Sequence, residues 1–345
     1  MTIKNEYFPE TVTHPGFTLN EKLEEIGMSI KEFALRTQKP EQTIIKIINE
    51  NGSITPDMSI LFENVLKIPA KFWLKRQYLF DESIARIKRF AVIEESKEWA
   101  KCFPYASMAK LGWVPKTRKL EKKIDSLFQF FGLSGKAAWE NYYYKQMLKV
   151  IFRISLKHIA EPYAVSAWLR QGEIIASKME VANYNAKMLK KNLANVKQLM
   201  IDHPNNFFIT LQDLCKNAGV KVVYTPCLPK APINGSTRWL GNTPLIQLSA
   251  RYKQNDIFWF TFFHEVGHIL LHGKKYVSLE NIKFDDIDLH KEEEANEFAI
   301  SWTLSEKQEQ EILNHQNITE DSIISFAKKY DTHPAIIIGR LHHKK

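Results

Sequence analysis

Phe260-Thr261-Phe262-Phe263-His264-Glu265-Val266-Gly267-His268-Ile269-Leu270 sets two histidines four residues apart, with a glutamate directly after the first. On a helix, residues i and i+4 lie one above the other on the same face. Two imidazoles so placed can bind one Zn²⁺, and the carboxylate between them can reach a water on the metal as general base. Every other position from Phe260 to Leu270 is uncharged. A solvated helix would carry lysines and glutamates there, so the run predicts a buried helix whose charged residues have a task.

A catalytic zinc generally has three protein ligands and an open position. Metzincins take the third from a histidine in His-Glu-x-x-His-x-x-Gly-x-x-His, but here Leu271 stands at the glycine position and Lys274 at the histidine position. His272 follows His268 by four residues, yet it is eight from His264. That is about 12 Å along a helix axis, too far for one metal to join all three. His272 therefore reads as a group that supports a metal ligand from behind, or as a structural one, in the last turn before Gly273. The third ligand is expected to be a carboxylate on a following helix, and His290-Lys291-Glu292-Glu293-Glu294-Ala295-Asn296-Glu297-Phe298-Ala299-Ile300 offers candidates. Adjacent glutamates point about 100° apart, so only one can face the metal. Glu292 shares the face of Ala295, Phe298, Ala299 and Trp302, whereas Glu293 and Glu294 are expected in solvent.

Before the histidine helix, 220–225, 235–240 and 245–248 read as strands, with Gly241-Asn242 as a hairpin turn. A small sheet beside a zinc helix is how zincin peptidases hold extended substrates, because an edge strand can hydrogen-bond a peptide backbone. Together, His264-Glu265-Val266-Gly267-His268-Ile269-Leu270-Leu271-His272 and Glu292-x-x-Ala295-Asn296-x-Phe298-Ala299 resemble the ImmA/IrrE family of zinc metallopeptidases. The resemblance spans roughly 205–342. It implies a gluzincin-like endopeptidase with Zn²⁺ on His264, His268 and Glu292, and Glu265 as base. The family commonly continues Leu-Met-Pro after its glutamate helix; this chain has Trp302-Thr303-Leu304-Ser305. Candidates for an oxyanion helper are Arg238, Tyr252, His272 and Tyr276. The closing helices, 322–330 and 334–342, are expected to pack on the peptidase rather than form a second helix-turn-helix.

The other end of the chain has a different pattern. Four short helices can be read between Thr18 and about Tyr78. Ser29 with Glu32 suggests a capping box, opening a helix with Ile30, Phe33 and Ala34 on its apolar face. After a turn at Thr37-Gln38-Lys39, Pro40 suits the first position of the next helix. Ile44, Ile45, Ile47 and Ile48 are expected to face its core, with Glu41, Gln42, Thr43, Lys46 and Asn49 outward. Thr55-Pro56 starts another helix containing Leu61, Phe62, Val65 and Leu66. Two short helices across a tight turn within a helical cluster describe a helix-turn-helix.

His14-Pro15-Gly16, Met28-Ser29-x-Lys31-Glu32-Phe33-Ala34, Ile54-Thr55-Pro56 and Ile68-Pro69-Ala70-x-Phe72-Trp73 resemble the Xre-type domain of HigA-like antitoxins. The resemblance implies operator DNA binding through residues 29–50, usually as a homodimer, with the helix at 40–50 in a major groove. Lys39, Glu41, Gln42, Thr43, Lys46 and Asn49 are then the candidate DNA contacts. Gln38 stands where the family often has glycine, so that turn must tolerate a side chain. A role in dimerisation or partner binding is the alternative for these helices.

The net charge of +9 is unevenly spread. Residues 1–85 hold 10 Lys+Arg and 12 Asp+Glu, residues 86–219 hold 23 and 11, and residues 220–345 hold 15 and 16. The basic excess thus belongs to the middle, either as a stripe for nucleic acid or an acidic partner or as solvated helix faces. Its aromatics at helical spacing read as core rather than base-stacking platforms, and no Gly-rich phosphate loop is present. Cys102, Cys215 and Cys227 form neither a disulfide framework nor a Cys-x-x-Cys site. With no secretory signal pattern at the N-terminus and no apolar run long enough for a membrane span, the expectation is a cytoplasmic protein.

These readings predict a mostly α, multidomain chain. Its parts are a helix-turn-helix bundle at 1–85, a basic helical linker domain at 86–204 and an α+β zincin-like domain with a small sheet at 205–345. The expected function is a DNA-binding regulator carrying a zinc endopeptidase that hydrolyses a regulatory protein or meets a toxin partner, in a toxin–antitoxin or stress-response setting. Two alternatives stand beside it: a non-enzymatic antitoxin or repressor with a structural zinc site, and a metallohydrolase acting on something other than peptides. The first is disfavoured by Glu265, which a structural site does not need, and by the four ligands such sites usually have.

Overall fold

The computed structural model describes residues 13–147, 162–249, 251, 254–275, 278–279, 286–315 and 317–343. The chain divides into two compact units, Met1–Glu95 and Ser96–Lys345. Among the described residues it is mostly helical, with one small sheet.

In the first unit, α1 (Pro15–Glu25), α2 (Ile30–Thr37), α3 (Glu41–Ile48) and α4 (Pro56–Leu66) are followed by the 26-residue α5 (Ala70–Glu95). The starts of the helices follow from their caps. His14 Nδ1 accepts from the Gly16 amide at 2.9 Å, Ser29 Oγ from Glu32 at 3.1 Å, and Thr55 Oγ1 from Met58 at 3.4 Å. Ser29 makes only the forward half of the expected capping box. Pro40 is the N-cap of α3 rather than its first residue. Gly16 has a packing reason: a Cβ there would lie 1.8 Å from the Ile47 carbonyl oxygen, so only glycine lets α1 approach the end of α3. Leu19, Phe33, Ile44, Ile47, Phe62 and Trp73 form the core, where each large apolar side chain contributes about 1.5–3 kcal/mol. The start of α5 is fastened to this bundle by Gln77, whose Oε1 accepts from the Ile54 amide at 2.9 Å.

In the second unit, α6 (Lys97–Lys101), α7 (Tyr105–Lys110), α8 (Leu120–Phe131) and α9 (Lys136–Trp139) enclose an aromatic core. Trp99 stacks on Phe128 at 5.2 Å and Trp139 on Tyr163 at 4.8 Å. These aromatics are core, while Lys116, Arg118, Lys119 and Lys122 are exposed. Helix α10 (Pro162–Ala176) then joins this region to the sheet, and α11 (Ala186–Asp202) and α12 (Phe207–Asn217) precede it.

The sheet comprises β1 (Lys221–Tyr224), β2 (Gly235–Leu240), β3 (Thr243–Leu248) and β4 (Ser278–Leu279), in the order β1-β3-β2-β4. Strands β2 and β3 form the expected hairpin, with Leu240 opposite Thr243 and Gly241 at φ +64°. Strand β1 runs parallel to β3, a pairing that needs the intervening crossover. Alternation along the strands divides the side chains between two faces. Val222, Ile246 and Leu248 pack with Trp259, Phe262 and Val266 of α13 (Asn255–Gly267), whereas Val223 and Leu245 meet Ala176 at the end of α10. Outside β2, β4 pairs with Ser236 and Thr237, so only part of the expected open edge lacks a strand partner among the described residues.

After α13 come a π-helical turn (His268–His272), α14 (Asp286–Thr303), α15 (Glu306–Leu313), α16 (Glu320–Lys329) and α17 (Pro334–His343). Ser305 and Gln308 open α15 with a reciprocal capping box where Leu-Met-Pro was the family expectation. Helix α17 packs on α13: Gly339 faces Asp256 so closely that a Cβ would lie 1.9 Å from its Oδ2. The last two helices are thus part of this unit's core, with Ile336 and Ile337 buried in it. Among the described residues, no helix is long and apolar enough to cross a membrane.

Candidate metal centre and helix-turn-helix face

Helix α13 is buried on nearly every side, from Trp259 through Gly267. Its closest neighbour is α14, and the two meet where both side chains are small. A Cβ on Gly267 would stand 3.2 Å from the Ala295 Cα and 3.3 Å from Phe298. That approach lets a glutamate one turn before Ala295 reach the histidines. Glu292 Oε2 lies 3.2 Å from His264 Nε2, and Glu292 Oε1 lies 3.3 Å from His268 Nε2. The two Nε2 atoms are themselves 2.9 Å apart, and the three ligand atoms lie within 4.8 Å of one another.

The outer nitrogens of these rings are also engaged. His264 Nδ1 is 2.9 Å from Asn296 Oδ1, and His268 Nδ1 is 2.9 Å from His272 Nδ1. A hydrogen on His264 Nδ1, donated to the Asn296 oxygen, leaves Nε2 as the lone-pair nitrogen facing Glu292. Burial drives the His268 pKa down to about 4, so at neutral pH its ring is uncharged. Burial would raise the Glu292 carboxyl, but its contacts with His264 and His268 outweigh that and bring it to about 2. Two imidazole nitrogens and one carboxylate converging on a single point are electron-pair donors that a cation between them would satisfy. This donor set fits a zinc-type site: two nitrogens, one oxygen and no cysteine.

Glu265, which follows His264 on the same helix, is fully buried. Its backbone carbonyl accepts from Thr237 Oγ1 at 3.1 Å, pinning β2 to α13. Its carboxylate lies against Gly235, where a Cβ would be 2.8 Å from Glu265 Oε1. The structure therefore brings together His264, His268 and Glu292, and buries Glu265 on the same helix as His264. Glu293 is exposed as expected, whereas Glu294 turns to His272: its Oε2 is 2.9 Å from His272 Nε2, and that bond lowers the Glu294 pKa. Glu294 and the role of Asn296 escaped the sequence reading. Asn296 was detectable, since it follows Glu292 by four residues on the same helix face.

Of the oxyanion candidates, Arg238 lies elsewhere. It points to α10, where its Nη2 donates to Leu169 O at 2.6 Å and to Gln247 Oε1 at 2.9 Å, and its Nε is 3.8 Å from Glu173. The reason is strand alternation: Gly235 and Thr237 face α13, so Arg238 faces the opposite layer. His272 faces His268, and Tyr252 and Tyr276 lie outside the described residues.

Comparison with known proteins agrees with this layout. Residues 215–342 match the family model of a peptidase described as the IrrE N-terminal-like domain, and residues 19–73 match a helix-turn-helix model. The chain carries both domain types. The virulence-associated protein A of Dichelobacter nodosus is 33% identical over 66 residues, 19% of this chain and 65% of that relative, so only about two thirds of its length is spanned. Similar solved structures include an addiction module antidote protein of a HigA family from Coxiella burnetii, at 29% identity with a TM-score of 0.23, covering 24% of this chain and 92% of that one. Another is the Pseudomonas aeruginosa antitoxin HigA with the higBA promoter, at 27% identity with a TM-score of 0.24, covering 25% and 94%.

In the helix-turn-helix domain, Gln38 takes the left-handed conformation at φ 52°, ψ 33°, where the family often has glycine. Glu41, Gln42, Lys46 and Asn49 are exposed, and Lys39 and Thr43 are partly so. Ile45 corrects the sequence reading. It is 37% exposed, next to Gln42, Lys46 and Asn49 on the outer face, while Ile44 and Ile47 are fully buried. Four isoleucines in five positions cannot all face one core on a helix with about 100° per residue.

Proposed function

We propose that this protein is a DNA-binding regulator whose IrrE-like domain is a zinc-dependent endopeptidase acting on a regulatory protein. One observation carries the peptidase reading: two imidazole nitrogens and the Glu292 carboxylate converge on one point, and the glutamate that follows the first histidine on the same helix is fully buried. His264, His268 and Glu292 would hold the metal; when bound, it would polarise a peptide carbonyl and acidify a water. Glu265 takes a proton from the attacking water and passes it to the nitrogen of the leaving amine. Asn296 holds the His264 ring in its ligating orientation. A structural site is disfavoured because closed zinc sites usually use four protein ligands and have no use for a buried glutamate at Glu265.

The helix-turn-helix domain would place Gln42, Lys46 and Asn49 in a major groove, with Lys39, Glu41 and Thr43 flanking them, most simply as a homodimer on a two-fold operator. The setting is a stress-response or toxin–antitoxin circuit in which cleavage of a bound regulatory protein changes transcription. The test compares wild type with Glu265→Gln for zinc content and for proteins lost from cells of the source. Equal zinc in both, with a protein cleaved only by the wild type, is the expected result. Equal zinc with no wild-type-specific cleavage would overturn the peptidase reading.

A further inference from the structure

We propose that Glu294 and His272 form a directional hydrogen-bond relay that holds His268 in the tautomer able to bind metal. The inference rests on reading His264, His268 and Glu292 as the metal site. Three distances carry it: Glu294 Oε2 to His272 Nε2 at 2.9 Å, His272 Nδ1 to His268 Nδ1 at 2.9 Å, and His268 Nε2 to Glu292 Oε1 at 3.3 Å.

The direction of each bond follows from the one before it. An ionised carboxylate can only accept, so His272 Nε2 carries the hydrogen. A neutral imidazole has one N–H, so His272 Nδ1 is then an acceptor. His268 Nδ1 must donate to it, and His268 Nε2 is left with its lone pair toward Glu292 and His264. The reverse polarity would put the His268 hydrogen on Nε2, in the middle of the metal site. Two imidazoles facing each other through Nδ1 are symmetric by themselves; the carboxylates at the two ends, Glu294 on His272 and Glu292 on His268, set the polarity, and the Glu294 contact is the shorter, at 2.9 Å against 3.3 Å.

The backbone is arranged for this contact. His268–His272 is a π-helical turn, and Gly273 ends it at φ +67°. π-Turns are rare and concentrate at functional positions. His272 has a side chain only 4% exposed, while Glu294 is 43% exposed. The relay thus leads from the protein surface to the buried ligand. His264 has its own, shorter arrangement through Asn296, so α14 supplies one ligand and the orienting group for each histidine. Both His272 and Glu294 are positioning residues.

The test measures zinc affinity of the full chain by chelator competition, with zinc as the only ligand, for Glu294→Ala, Glu294→Gln, His272→Ala and the Glu294→Ala/His272→Ala pair. Loss of an outer-shell partner typically weakens metal binding about 10–100-fold. Glu294→Ala and His272→Ala should each do so, and the pair should be no weaker than the worse single variant. Glu294→Gln, whose amide oxygen can still accept, should stay near wild type. Nitrogen-15 spectra of the zinc-free protein should place the His268 hydrogen on Nδ1 in wild type and Glu294→Gln, and on Nε2 in Glu294→Ala. Wild-type affinity in Glu294→Ala with the hydrogen still on Nδ1 would overturn the relay. If His272→Ala does not fold, Glu294→Ala carries the test, because its carboxylate is half exposed. His264→Ala separates the two claims: retained zinc there refutes the metal site itself, whereas lost zinc beside an unaffected Glu294→Ala refutes only the relay.

Discussion

Replacing Gly235 by alanine tests how tightly the sheet positions the proposed base. The new Cβ would stand 2.5 Å from Thr261 Cγ2, 2.8 Å from Glu265 Oε1 and 3.1 Å from Glu265 Cγ. Ordinary contact begins at 3.4 Å, so the helix side must yield by about 0.9 Å at Thr261 and about 0.6 Å at Glu265. Both neighbours are buried, and overpacking of this kind costs about 1–3 kcal/mol of stability. A misplacement of about 1 Å costs a catalytic group on the order of 100-fold in rate, so a shift of about 0.6 Å in Glu265 should cost on the order of 10-fold or more. The zinc ligands are on other positions, so metal content should be unchanged. The assay follows new amino termini appearing in a host-cell lysate, with Glu265→Gln as the inactive control and thermal unfolding measured alongside. Adding Thr261→Ser removes the Cγ2 clash but not the one with Glu265. The double variant should regain stability and stay slow. Full activity in Gly235→Ala would refute the argument that this strand sets the position of Glu265.

Other outcomes follow from the same geometry. His264→Ala should lose stoichiometric zinc, checked by elemental analysis after dialysis; retained metal would reject the ligand assignment. His203 and His333 are both held below the usual histidine pKa of 6.5, chiefly by burial, and their rings are 5.7 Å apart. Their neutral forms are favoured in the fold, so the stability they contribute is complete above pH 6.5 and is lost as pH falls through their lowered folded values. Melting temperature should therefore drop between pH 7 and 5. His333→Asn, whose oxygen can replace Nδ1 as acceptor for the Ala335 amide, should flatten that drop. Lys46→Ala should weaken binding to a duplex carrying the protein's own upstream region and reduce the salt slope by about one ion if Lys46 meets a phosphate. An unchanged slope would move Lys46 off the backbone.

The legible parts of this protein were those whose information is local in the chain. His264, Glu265 and His268 declare their shared face by spacing alone, and an uncharged flank declares burial. Ser29, Thr55 and Pro56 announce helix starts because caps act within three residues. Gly241-Asn242 announces its hairpin for the same reason. The elimination of His272 as a ligand to the same metal as His264 needed only the rise of a helix.

Apart from Glu292, picked out by its helical phase with Ala295, what depends on two segments meeting required the tertiary structure. Ile45 was misplaced because a run of isoleucines carries no phase until a core selects one face. Arg238 was a candidate near the metal until the pleat of β2 turned it toward α10. Glu294, dismissed to solvent by its angle on an isolated helix, bonds His272 because α14 crosses the π-turn closely enough for a long side chain to reach it. Sequence by itself determined that two imidazoles and a carboxylate share one buried helix. The close approach of Gly267 to Ala295 decided the rest: it brings Glu292 to both Nε2 atoms, and such contacts depend on distance in space rather than along the chain.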